Sequence, residues 1–125
     1  MQATKSDPAF PYFIPVEARP LTKDERRTVE RMVSAVGGPY LEQVGELRVV
    51  GRCGCGECPT IFFQTHNHGD KEDEVCMFSG SDSYFGLVGV TLFEKQGCLS
   101  QLEYFSLDGH DPWQPPDPES LKLQP

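Results

Sequence analysis

The chain has 125 residues, a formal net charge of −8, and 38% hydrophobic residues. That is enough for one domain with its own core, and too apolar for a disordered polyelectrolyte. An acidic exterior repels phosphate backbones, so no nucleic-acid partner is expected. The longest mainly apolar run, Phe85 to Phe93, is far short of the ~20 residues that span a bilayer, so no membrane is expected either.

Residues 1–20 hold Pro8, Pro11, Pro15 and Pro20. Each blocks helix and restricts its predecessor to extended geometry, so the stretch reads as an arm. Residues 10–16, FPYFIPV, are apolar enough to lie on the body, with free coil as the alternative for residues 1–9. Thr22 and Glu25 form a capping-box pattern at the start of a helix. Val29, Met32, Val33 and Val36 then recur at helical spacing, and Gly37-Gly38 stops the run. Pro39 opens a second, short helix with Tyr40, Leu41 and Val44 turned inward, ending at Gly45.

From Glu46 the period changes to two. Leu47, Val49 and Gly51 alternate with Arg48, Val50 and Arg52, the pattern of a strand. The run Thr60–Thr65 is rich in β-branched and aromatic residues and reads as a second strand. Residues 66–74, HNHGDKEDE, read as loop. Tyr84–Glu94 and Leu99–Leu107 read as two longer strands, joined by a three-residue hairpin loop over Lys95–Gly97 with the glycine left-handed. The tail from Asp111 is rich in proline and cannot be a central strand. Trp113 reads as an anchor for it, and residues 119–123 as one helical turn. These elements predict an α+β fold: two N-terminal helices packed on one face of a mainly antiparallel sheet of about four strands. The expected organisation is an extended arm over 1–20, one α+β domain over 21–110, and a proline-rich tail over 111–125.

The chemistry concentrates in residues 52–59, RCGCGECP. An odd count of five cysteines argues against a complete disulfide framework. Zinc takes four ligands at the corners of a tetrahedron, usually Cys or His. Cys53, Cys55 and Cys58 can supply three, with Cys76 as the fourth and His66 or His68 as alternatives. Zinc is the only cofactor the sequence suggests. Against it, a plain hairpin turn between two strands accounts for the glycines, with the thiols as small packing groups. A redox dithiol at Cys55 and Cys58 is disfavoured. Such pairs open a helix, whereas a strand follows here, and a carboxylate at Glu57 would raise the thiol pKa values. His66 and His68 with Asp70, Glu72 or Asp73 form a second, weaker divalent-metal pattern. His110 beside Asp108 and Asp111 is an acid–base pair in name, but DG and DP are turn signals and no nucleophile neighbours it in sequence.

The string RCGCGECPTI, the stretch GVTLFEKQGCLSQLEYF and the tail DPESL together resemble a family of small uncharacterised bacterial proteins. In that family a Cys-Gly-Cys-Gly-Cys-Pro run precedes a strand, and an L-S-x-L-E-x-[FY] strand precedes a proline-rich end. The likeness spans roughly residues 22–121. This chain differs by carrying Glu57 between Gly56 and Cys58, which lengthens the loop. The resemblance implies a bacterial origin and the fold above, and it carries no activity or catalytic residue. The N-terminus has no basic patch followed by an apolar stretch, so a cytoplasmic protein is expected, or a mature form whose signal was removed. The leading expectation is a non-catalytic module with a protein partner on one sheet face or on the cysteine loop. The alternatives are a zinc-binding protein and a thiol-dependent enzyme acting through Cys55 or Cys58.

Overall fold

The computed structural model describes residues 12–124. The part of the arm over 1–11, with Pro8 and Pro11, lies outside the described residues. The fold is α+β, but the sheet has seven strands, not about four. In chain order these are β1 (Phe13–Pro20), β2 (Arg48–Cys53), β3 (Ile61–Phe62), β4 (Asp73–Ser81), β5 (Leu87–Lys95), β6 (Cys98–Ser106) and β7 (Lys122–Leu123). They lie side by side as β1-β2-β3-β6-β5-β4-β7, with every pairing antiparallel.

Three strands escape the sequence pattern for separate reasons. β1 contains Pro15 and Pro20 yet sits on the sheet edge, where a missing N–H costs no ladder bond. β4 starts inside the charged run and ends in Ser-Gly-Ser, so its inward residues Cys76 and Phe78 stand between loop-like ends. β7 is a two-residue edge strand laid against β4, where one helical turn is expected; a short 3-10 turn, Pro118–Ser120, precedes it. The strand expected from Tyr84 begins instead at Leu87. The one expected over residues 60–65 pairs only at Ile61 and Phe62.

α1 (Lys23–Val36) follows its sequence pattern closely. Thr22 accepts from the Glu25 N–H and Glu25 accepts from the Thr22 N–H, completing the capping box. Its buried residues, Thr28, Val29, Met32 and Val33, cover one sheet face. The second helix is a 3-10 helix, Gly38–Glu46, that buries Val44 but leaves Leu41 exposed. The core lies between α1 and the row of sheet residues Phe78, Val90, Leu92 and Leu102. Leu92 and Leu102 are cross-strand partners, which puts both on the α1 side. Trp113 packs against this core from the tail. The opposite sheet face carries an aromatic cluster in which Phe62 meets Tyr12 and Phe13 edge to face. The β5–β6 hairpin closes with two residues, not three. Gln96 and Gly97 both have positive φ, 56° and 83°, the requirement of the turn whose twist matches the strands. Among the described residues no helix is long and apolar enough to cross a membrane.

Candidate metal centre

β2 ends at Cys53, and the chain reverses through residues 54–60 to re-enter the sheet at Ile61. Backbone bonds fix both ends of the reversal. Cys53 N–H donates to Thr60 O at 3.4 Å, and Gly54 N–H donates to Tyr12 O on the neighbouring strand's approach at 3.2 Å. Inside the loop, Gly56 N–H donates to Cys53 O at 3.3 Å, and Gly56 itself has φ +75°, a region open to glycine and costly for most other residues. This is the hairpin turn the glycines suggest.

The same turn gathers thiols. The sulfurs of Cys53, Cys55 and Cys58 all lie within 4.8 Å of one another, and Cys55 Sγ and Cys58 Sγ are 3.4 Å apart. Three points so spaced share a centre no more than about 2.8 Å from each, against a zinc–sulfur bond of about 2.3 Å. The cluster therefore needs sub-ångström adjustment to grip an ion. Cys53 is buried at the strand end, while Cys55 and Cys58 are half-buried, so one side of the cluster opens to solvent.

The loop treats the sulfurs unequally. Two backbone N–H groups, of Glu57 at 3.4 Å and Cys58 at 3.3 Å, donate to Cys55 Sγ. Burial pushes the Cys55 thiol up, but these donors outweigh it and hold it down at about 7. Burial pushes Cys53 up to about 12. Glu57 thus acts through its backbone: the residue expected to raise the thiol values supplies one of the two N–H groups that lower one of them.

The proposed fourth ligands do not join the three. Cys76 lies in the core on β4 with its Sγ 4.0 Å from Met32 O, and burial pushes it up to about 11. That is a packed thiol beneath α1. His66 is half-buried against Tyr12 and Phe62, its Nδ1 without a hydrogen-bond partner and 3.5 Å from Glu72 Oε1. His68 is exposed. Two acidic groups of residues 66–74 have partners of their own. Asp70 holds Lys95 Nζ at 3.0 Å, and Glu72 accepts from Ser100 Oγ at 2.5 Å. Among the described residues, the three thiols are the one group of His, Cys, Asp and Glu donors close enough to hold an ion.

His110 has a different role from the acid–base pair its neighbours suggest. Its Nε2 meets the buried carboxylate of Asp82 at 2.8 Å, and its Nδ1 meets Asp108. Asp82 also accepts from the N–H groups of Tyr84, Gly86 and Gln114. Its ring lies where a Cβ on Gly86 would stand, 2.0 Å from Nε2. Ser106 Oγ is 3.2 Å from Nδ1, a nitrogen that Asp108 also contacts. The group is a clip fastening the start of the tail to the β4–β5 loop.

Comparison with protein-family models, with curated proteins and with solved structures gives no match for this chain.

Proposed function

We propose that this protein binds one thiophilic metal ion, zinc in the first instance, through Cys53, Cys55 and Cys58. The observation that supports it most is the convergence of three sulfurs on one centre in a loop whose backbone is tied at both ends. N–H donors aimed at a ligand sulfur are the outer-shell support that thiolate ligands use. Three protein ligands leave one corner of a tetrahedron open, the arrangement of sites where water or an incoming donor completes the metal. Soft thiolate donors also suit monovalent copper, so the set selects by softness. Elemental analysis of protein purified under reducing conditions without chelator tests the reading. About one equivalent of metal is expected, falling below a tenth in Cys55→Ser. Metal-free wild-type protein that takes up none on zinc addition would refute it.

A second reading, a protein-interaction module, is supported by Phe85. This side chain is 94% exposed and its backbone has φ 62°, an unfavourable position for an aromatic residue. The Asp82 carboxylate holds the loop in that shape through the N–H groups on either side of Phe85. Phe85 stands at the rim of a cleft of about 730 Å3 that includes Pro59, at the end of the cysteine loop. A partner seated there would touch the metal loop. Loss of binding to a captured partner on Phe85→Ser, with unchanged melting, is the expected result.

A further inference from the structure

We propose that Cys55 and Cys58 close into a reversible disulfide that switches the metal site off, with low-molecular-weight disulfides as the oxidant. The consequence for metal rests on the metal-binding reading, whereas the disulfide itself does not.

The geometry singles out this pair from the five thiols. Cys55 Sγ and Cys58 Sγ are already in contact at 3.4 Å, and a disulfide needs about 2.05 Å. The difference falls within a loop that contains Gly54 and Gly56 and has no ladder bonds of its own between those two cysteines. Cys53 is different, because it ends β2 and its N–H is committed to Thr60 O. A backbone shift that brought its sulfur closer would disturb that pairing. Cys76 is enclosed in the core, and Cys98, though exposed, lies outside the cluster at the β5–β6 turn. Both Cys55 and Cys58 are reachable from solvent.

The exchange balances in two steps. Cys55 gives up its proton to solvent and its sulfur attacks one sulfur of the small disulfide RSSR; the S–S bond breaks and one RS− leaves, taking up a proton from solvent. Cys58 then loses its proton to solvent and attacks Cys55 Sγ, breaking the mixed disulfide and expelling the second RS−, which also takes up a proton. The protein pair has lost two electrons and two protons, and RSSR has become two RSH. The glutamate N–H and the Cys58 N–H face the sulfur that is attacked in the second step. Closing the pair takes two of the three ligands from the ion, which cannot be held by Cys53 alone.

The test uses the full chain with Cys98→Ser, to keep the exposed thiol from cross-linking molecules. Metal-free reduced protein is incubated with oxidised glutathione, and remaining thiols are alkylated in denaturant before fragmentation by mass spectrometry. The expected product has lost two hydrogens and carries the alkyl label on Cys53 and Cys76 but not on Cys55 or Cys58. With Cys58→Ser added, the reaction should stop at a glutathione adduct on Cys55. The oxidised protein should take up at least tenfold less zinc than the reduced one, and reductant should restore it. A persistent glutathione adduct on Cys55 with Cys58 intact, or a disulfide that captures Cys53, would overturn the proposal. A disulfide at 55–58 in a protein that binds no zinc when reduced supports the exchange and removes the metal reading. Zinc binding without any disulfide does the reverse.

Discussion

Metal affinity should rise steeply with pH, by an amount the loop geometry sets. A metal displaces the protons of its ligands. Cys53, pushed up to about 12 by burial, is protonated throughout the working range. Its displaced proton makes affinity rise about tenfold for each pH unit. Cys55 sits at about 7, held there by the N–H groups of Cys58 and Glu57 against its burial. It is about one-tenth ionised at pH 6 and about nine-tenths at pH 8, which adds about another tenfold across that span. Displacing the protons of these two thiols alone raises the zinc association constant about 1,000-fold between pH 6 and pH 8, so the three-thiol site should show at least that rise. Competition against a chromophoric chelator of known pH dependence measures it directly. Cys53→Ser should reduce that rise by about 100-fold over the same interval. A rise below tenfold in the wild-type protein would mean that Cys53 is not a ligand, and the three-sulfur centre would fail with it.

Other consequences are testable on the scaffold. Met32 is fully enclosed between α1 and the sheet, so Met32→Ala should cost about 2 to 5 kcal/mol in denaturant unfolding. His110→Ala should lower Tm by releasing the tail clip, and the gap from wild type should depend on pH. His110 is raised by its bonds to Asp82 and Asp108, so its contribution is complete below its ordinary value near 6.5 and is lost as pH rises through the raised one. Asp108 is held at about 2 by the Leu87 and His110 N–H groups and the imidazole, so its contribution is complete above its ordinary value near 3.9 and lost as pH falls towards 2. Thermal melts should therefore show the widest gap between about pH 4 and 6.5, and a gap that never narrows on the alkaline side would contradict the clip. Finally, stripping zinc should speed amide exchange in β1 and β2 while β5 and β6 stay protected; uniform acceleration across the sheet would count against a local role for the loop.

Local rules made some of this fold legible. The Thr22–Glu25 capping box and the Val29, Met32, Val33 stripe specify α1 without help from the rest of the chain. In β2, Val49, Gly51 and Cys53 turn inward while Arg48 and Arg52 face solvent, as period two requires. The missed strands lack such rules. β1 is held by its neighbour in spite of two prolines; β3, expected over residues 60–65, is cut to the two residues that β2 and β6 pair from either side. The candidate centre was half visible. Spacing named the three cysteines, but their convergence depends on the chain leaving extended geometry at Cys53 and turning left-handed at Gly56. Cys76 looked equivalent in sequence and is spent on packing under α1, a fact carried only by the β4 register. The glycine between each pair of thiols was the usable signal, because it frees the backbone to aim its N–H groups at sulfur.

The position of the loop in the sheet gives the centre a structural reach beyond its own residues. β4, β5 and β6 pair along most of their lengths, and β1 pairs with β2 along another ribbon. In the sheet of the described residues the two ribbons are joined through β3, which contributes two paired residues to each side. So short a strand supplies few hydrogen bonds, and its hold comes mainly from enclosing Ile61 and Phe62, on opposite faces. The thiol loop sits at the β2–β3 end of this joint, with Cys53 in one strand and Cys58 close before the next. An ion shared by the three sulfurs would clamp β2 to the segment leading into β3, at the place where backbone pairing is thinnest. Under the proposed function, charge on the sulfurs, an ion among them and oxidation of the 55–58 pair would all act on that one joint, and each would then be coupled to how firmly the β1–β2 ribbon is attached to the rest of the sheet.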